Sequence, residues 1–114
     1  MINIDIARDF SEKPFGRFQF ATDQHPSDGK WTGDRFRNEQ LLPVFRESKD
    51  KIEVLLDNVD RGFGSSFFDE AFGGLIRAGI PFQEIKDRLF IITNDESYYD
   101  EIWEYITEAH QKME

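Results

Sequence analysis

Apolar and polar residues alternate strictly from Ile2 to Ile6 (INIDI), the period-two signature of a half-exposed strand. Turn chemistry follows in Ser11-Glu12-Lys13-Pro14-Phe15-Gly16, and Arg17-Phe18-Gln19-Phe20-Ala21 alternates again, which predicts a hairpin or two neighbouring strands. Residues 22–33 (TDQHPSDGKWTG) read as a long polar loop. Residues 34–47 have helical spacing with Phe36, Leu41, Val44 and Phe45 facing inward. Pro43 should kink or divide that helix, because proline lacks the backbone donor and clashes with the preceding turn. The apolar runs in 52–57 and 89–93 predict buried strands, the first of them central.

A second helix is predicted over 66–78, a short helical turn over 81–86, and a last helix over 97–113. In the last helix Tyr99, Ile102, Trp103, Ile106, Ala109 and Met113 follow helical spacing, and Ser97 with Asp100 matches a capping box. The order is ββαβαβα. Helices that separate buried strands imply an α/β domain with a mixed, partly parallel sheet covered by helices. A length of 114 residues without an internal repeat predicts a single domain over 1–114.

Composition narrows the function classes. A formal charge of −9, with no run among the 14 basic residues, argues against nucleic acid and against an anionic membrane surface. No apolar run approaches the roughly 20 residues that span a bilayer, and MINIDIARDF lacks the basic and apolar regions of a signal peptide. With no cysteine, disulfide and thiol chemistry are excluded, and a cytoplasmic location is expected.

The candidate chemistry lies in 52–79, where a strand, the turn Arg61-Gly62-Phe63-Gly64 and two serines lead into the second helix. A constant 100° per residue puts Phe67, Phe68, Ala71, Phe72, Leu75, Ile76 and Ala78 on one arc. It leaves Ser66, Asp69, Glu70, Gly73 and Arg77 on the opposite stripe. Gly73 is out of place on a solvent face, where glycine costs about 1 kcal/mol relative to alanine. It is either a point of close approach by another backbone or a tolerated glycine, while Gly74 is expected to serve internal packing. Ser66 and Asp69 fit S-x-x-[DE], so Ser66 is expected to cap the helix and Ser65 to present its hydroxyl. A phosphate on Ser65 would meet the favourable helix dipole but also Asp69 and Glu70, so it would act as a releasing switch rather than a stabilising one.

Other signals are weak. Gly62-x-Gly64-x-x-Phe67 lacks the third glycine of a dinucleotide fingerprint, and Gly29-Lys30-Trp31-Thr32 is no phosphate-binding loop. His25 and His110 have no ligand-spaced companion, so no metal is expected. Asp57 and Asp60 fit strand-terminating turn acceptors better than a cation site. No nucleophile, base and orienter can be assembled, so no catalytic residue and no cofactor are expected.

The segment LLDNVDRGFGSSFFDEAFGGLIRAG resembles the strand–loop–helix of STAS domains, and most closely a bacterial STAS-like family of unknown function. That family carries an SSF-x-DEAFGGL signature, matched by residues 65–75. Gly33-Asp34-Arg35-Phe36-Arg37 and Leu41-Leu42-Pro43 resemble its first-helix segment. STAS domains include anti-sigma factor antagonists, which bind kinase-like anti-sigma factors and are phosphorylated where this helix opens. The resemblance implies Ser65 as that position, although Gly64 stands where those antagonists have an acidic residue. It also implies a histidine-kinase-like ATPase as partner.

The expected function is therefore a non-catalytic interaction module, docking through Gly62, Gly64, Ser65, Ser66, Glu70, Gly73 and Arg77, with Ser65 or Ser66 as phosphoacceptor. The alternative is a small-molecule-binding or weakly enzymatic domain with 22–33 as a lid near Asp57. The chain is expected to be a monomer or a weak homodimer, the latter through Trp31, Tyr98 or Tyr105.

Overall fold

A computed structural model describes residues 1–11, 32–59 and 63–112. Three strands, β1 (Ile2–Asp5), β2 (Ile52–Leu55) and β3 (Leu89–Ile92), form a parallel sheet in the order β1-β2-β3. β2 is central, and its burial alternates, with Ile52 and Val54 buried and Glu53 and Leu55 half-buried. The second alternating segment, 17–21, and nearly all of the 22–33 loop lie outside the described residues.

The register sets Ile2, Ile52 and Leu89 in one row and Ile4, Val54 and Ile91 in another, all directed into the core. The intervening rows, Asn3–Glu53–Phe90 and Asp5–Leu55–Ile92, form the opposite face, where Phe90 and Ile92 are 40% and 43% exposed. The buried core lies on the first face.

A one-turn helix, α1 (Ile6–Asp9), follows β1 directly, with the Asp5 side chain accepting from the Ala7 amide. Helix α2 spans residues 33–47 and contains a π-helical turn, Arg37–Leu41. Pro43 explains the wider turn. It cannot donate to the Glu39 carbonyl, so the preceding ladder shifts and the Leu42 amide reaches back to the Arg37 carbonyl. The predicted division of this helix is therefore a bulge within a continuous helix.

Helix α3 spans residues 65–77 and also contains a π-helical turn, Asp69–Gly73. It ends at Gly79, whose φ of 100° favours glycine. There the Ile80 amide returns to the Leu75 carbonyl and the Gly79 amide to that of Ile76, a Schellman closure. Helix α4 (Phe82–Arg88) is longer than the predicted turn and runs straight into β3. Helix α5 (Glu96–Lys112) closes the chain. Its cap is Asp95, not Ser97: the Asp95 carboxylate accepts from the Ser97 amide (2.9 Å), and its carbonyl takes the Tyr98 amide.

Helix α3 is the middle of the helical layer, touching α2 on one side and α5 on the other. Phe67, Phe68, Ala71, Phe72 and Leu75 are wholly buried on it, and Phe36 of α2 packs on Phe67 and Phe72 at 6.0 and 6.2 Å between ring centroids. Each such phenylalanine contributes about 1.5–3 kcal/mol of burial. Buried Arg88 fixes the exit of α2, donating to the carbonyls of Phe45, Ser48 and Asp50 while its guanidinium lies over the Phe45 ring. These bonds satisfy carbonyls that a helix end leaves without partners.

Candidate functional site: the serine turn

The serine turn begins one residue earlier than capping chemistry predicts. Gly64 is the N-cap, in extended conformation (φ −88°, ψ 153°), and Ser65 is the first helical residue. Ser66 is therefore not the cap, and no side chain caps this helix. A staple replaces the capping bond: Phe63 before the cap packs on Phe68 in the first turn, at 4.9 Å between centroids. The Phe63–Phe68 spacing was the sequence signal for this start. Gly62 lies outside the described residues, as do Asp60, His25 and Trp31.

Ser65 is exposed and Ser66 half-buried. The Tyr105 phenol of α5 donates to the Glu101 carboxylate (3.2 Å). The nearby Ser65 hydroxyl pulls that phenol down, but burial together with the charges of Glu101 and Asp69 outweighs it and holds the phenol above its ordinary value. Ser65 thus sits at the helix start, where the first amides have no acceptor within the helix, and faces a phenol that two carboxylates influence.

The outward stripe is corrected in two places. Glu70 is only 8% exposed and faces α2, where its carboxylate takes Arg37 at 2.8 Å. Gly73 is buried too, and the backbone that faces it belongs to α5 of the same chain: a Cβ there would make an ordinary contact with the Tyr105 carbonyl at 3.4 Å. Gly74 does serve internal packing, leaving the space that the Arg37 side chain fills. Asp69 and Arg77 stay at the surface, paired at 3.3 Å, with Arg77 also 3.8 Å from Glu70. The structure thus keeps Asp69 and Arg77 paired at the surface of the helix that Gly64 and the exposed Ser65 open, and turns Glu70 and Gly73 inward.

The family model of the STAS-like domain of unknown function (DUF4325) matches residues 32–99, more than half of the chain. The chain belongs to that family. The match runs from the start of α2 to the first turn of α5, so the STAS-like segment includes the serine turn and both helices that border α3. No curated protein and no solved structure matches the chain.

Elsewhere, the Asp57 carboxylate accepts from the Thr93 hydroxyl (2.6 Å) and the Asn94 amide (2.7 Å), tying the ends of β2 and β3 as a turn acceptor. Among the described residues, no three carboxylate or histidine side chains are grouped to hold a metal. His110 stacks on Phe82 at 4.3 Å and borders a small groove with Ile76, Ile80 and Pro81, at the end of α3 remote from the serines. Tyr98 and Tyr105 are half-buried against α3 and its entry turn. No described helix is long and apolar enough to cross a membrane.

Proposed function

We propose that this STAS-like domain is a non-catalytic regulatory module that docks a histidine-kinase-like ATPase through Gly64, Ser65, Ser66, Asp69 and Arg77. The observation that carries the reading is the exposed Ser65 at the first position of α3, on a turn held from behind by packed aromatics. A preformed surface of this kind binds with little ordering cost. The excess of carboxylates in the chain favours a basic partner face and disfavours nucleic acid.

Ser65 is the phosphoacceptor in this reading, with Ser66 the lesser candidate because it is half-buried. A phosphate on Ser65 would add negative charge beside the Tyr105 phenol, which the carboxylates of Glu101 and Asp69 already influence. Like-charge repulsion makes it a partner-releasing switch. Such a switch operates in the cytoplasm, where ATP is available.

The test is to mix the purified chain with a histidine-kinase-like ATPase and labelled ATP. The reading expects a complex, and label on Ser65 that dissolves it. Absence of both sinks the reading, and a complex without label removes the switch alone.

A further inference from the structure

The serine turn has no side-chain cap of its own, so something else must fix the angle at which the chain enters α3. Phe63 does so from one side by packing on Phe67 and Phe68, at 5.5 and 4.9 Å between centroids. Tyr98, in the first turn of α5, closes the other side. Its ring meets Phe63 edge-on (5.6 Å, 86°) and Phe68 nearly so (5.3 Å, 72°), and its hydroxyl accepts the Phe63 amide at 3.2 Å. One phenol therefore holds both rings of the staple and the main-chain amide of its first residue.

This is more than packing requires. A phenylalanine at position 98 would supply the same ring contacts, and the hydroxyl adds only the bond to the turn. That bond fixes a main-chain donor next to Gly64, a residue with more backbone freedom than any other. Tyr98 is itself held at the start of α5, where Asp95 caps the helix and its carbonyl takes the Tyr98 amide (3.1 Å). The serine turn and the entry of α5 thus form one mechanical unit, although 35 positions separate Phe63 from Tyr98.

We propose that Tyr98 is a positioning residue that latches the serine turn in the conformation a partner meets. The proposal rests on the docking reading for its purpose, but the latch itself is a property of the free chain. Without the hydroxyl, Phe63 and Gly64 sample other conformations. A partner then has to order the turn as it binds.

The test is amide hydrogen exchange on the full 15N-labelled chain carrying Tyr98→Phe, with Tyr99→Phe, the exposed neighbour, as control. Loss of one hydrogen bond should speed exchange at Phe63 roughly fivefold. It should also shift the Ser65 and Ser66 amide resonances, with Val54 and Leu55 in β2 exchanging as before. Tyr98→Leu, which also removes the ring, should show a larger effect; should it fail to fold, Tyr98→Phe decides alone. Unchanged exchange at Phe63, or a rise equalled at Val54, overturns the latch. Because no partner is present, a working latch combined with a partner footprint elsewhere would overturn the docking reading and leave the latch standing.

Discussion

The Arg37 guanidinium donates from one nitrogen to both the main-chain carbonyl (2.6 Å) and the carboxylate (2.8 Å) of Glu70. The two residues stand in the π-helical turns of α2 and α3, so one buried pair sets the register of the two helices on which the family's sequence signature lies. Both side chains are largely buried, so removing one partner strands the other's charge. Glu70→Leu should cost about 3 kcal/mol in urea unfolding. Arg37→Met should cost less, since Arg77 remains 3.8 Å from Glu70. The double replacement Arg37→Met with Glu70→Leu should be milder than Glu70→Leu alone.

The glycines along this interface rank by what a methyl group would strike. At Gly33 a Cβ would lie 2.6 Å from the Phe67 carbonyl, a backbone atom that cannot yield cheaply, so Gly33→Ala should destabilise by about 1–3 kcal/mol. At Gly73 the nearest atom is the Asp69 carboxylate (2.9 Å), which can swing aside, and the gain in helix propensity of about 1 kcal/mol offsets the shift. Gly73→Ala should therefore be close to neutral. Gly74→Ala displaces Arg37 and should become better tolerated in an Arg37→Ala background. Thermal unfolding of the set checks the order.

Arg88 should be among the most sensitive polar residues. It is buried and bonded to the carbonyls of Phe45, Ser48 and Asp50 as well as to Glu84. Arg88→Met keeps much of the volume over Phe45 but leaves those carbonyls without a donor. A loss of about 3 kcal/mol or more is expected, read as a lower urea midpoint.

Much of this architecture is legible in the sequence, and the failures share a cause. The apolar runs around Val54 and Ile91 and the alternation at Ile4 mark all three described strands. The inward arc of α3 is correct for Phe67, Phe68, Ala71, Phe72, Leu75 and Ile76. The outward stripe fails at Glu70 and Gly73 because helical periodicity assumes a helix with one wet side and a constant turn. Helix α3 is instead flanked by α2 and α5, and its π-helical turn rotates the face partway along. Neither neighbour is visible in the local pattern. Polar Glu70 reads as exposed because its partner, Arg37, lies 33 positions away. The missed cap is a different case: Ser66-x-x-Asp69 matched a capping box, while the Phe63–Phe68 staple carried the true start.

Acid should weaken the entry of α5. The Ser97 hydroxyl and amide hold the Asp95 carboxyl below its ordinary value. A depressed folded-state pKa contributes stability above the ordinary carboxylate range and loses it as the pH falls through that range and below. Asp9, lowered by its bond to Arg8, acts in the same direction at α1. Stability should thus decline as the pH drops from about 5 toward 2. Asp95→Asn, which still caps but does not titrate there, should show a smaller decline in urea midpoint between pH 7 and pH 3 than the parent chain.

A partner docked on the turn where Ser65 opens α3 would perturb the amide resonances of that turn, which chemical-shift mapping reads residue by residue. The 15N-labelled chain is titrated with a purified histidine-kinase-like ATPase. The account predicts that the largest shifts fall on Gly64, Ser65, Ser66, Asp69 and Arg77. Shifts centred on Phe90 and Ile92 of the open sheet face with a silent serine turn, or no shifts at all, would contradict it.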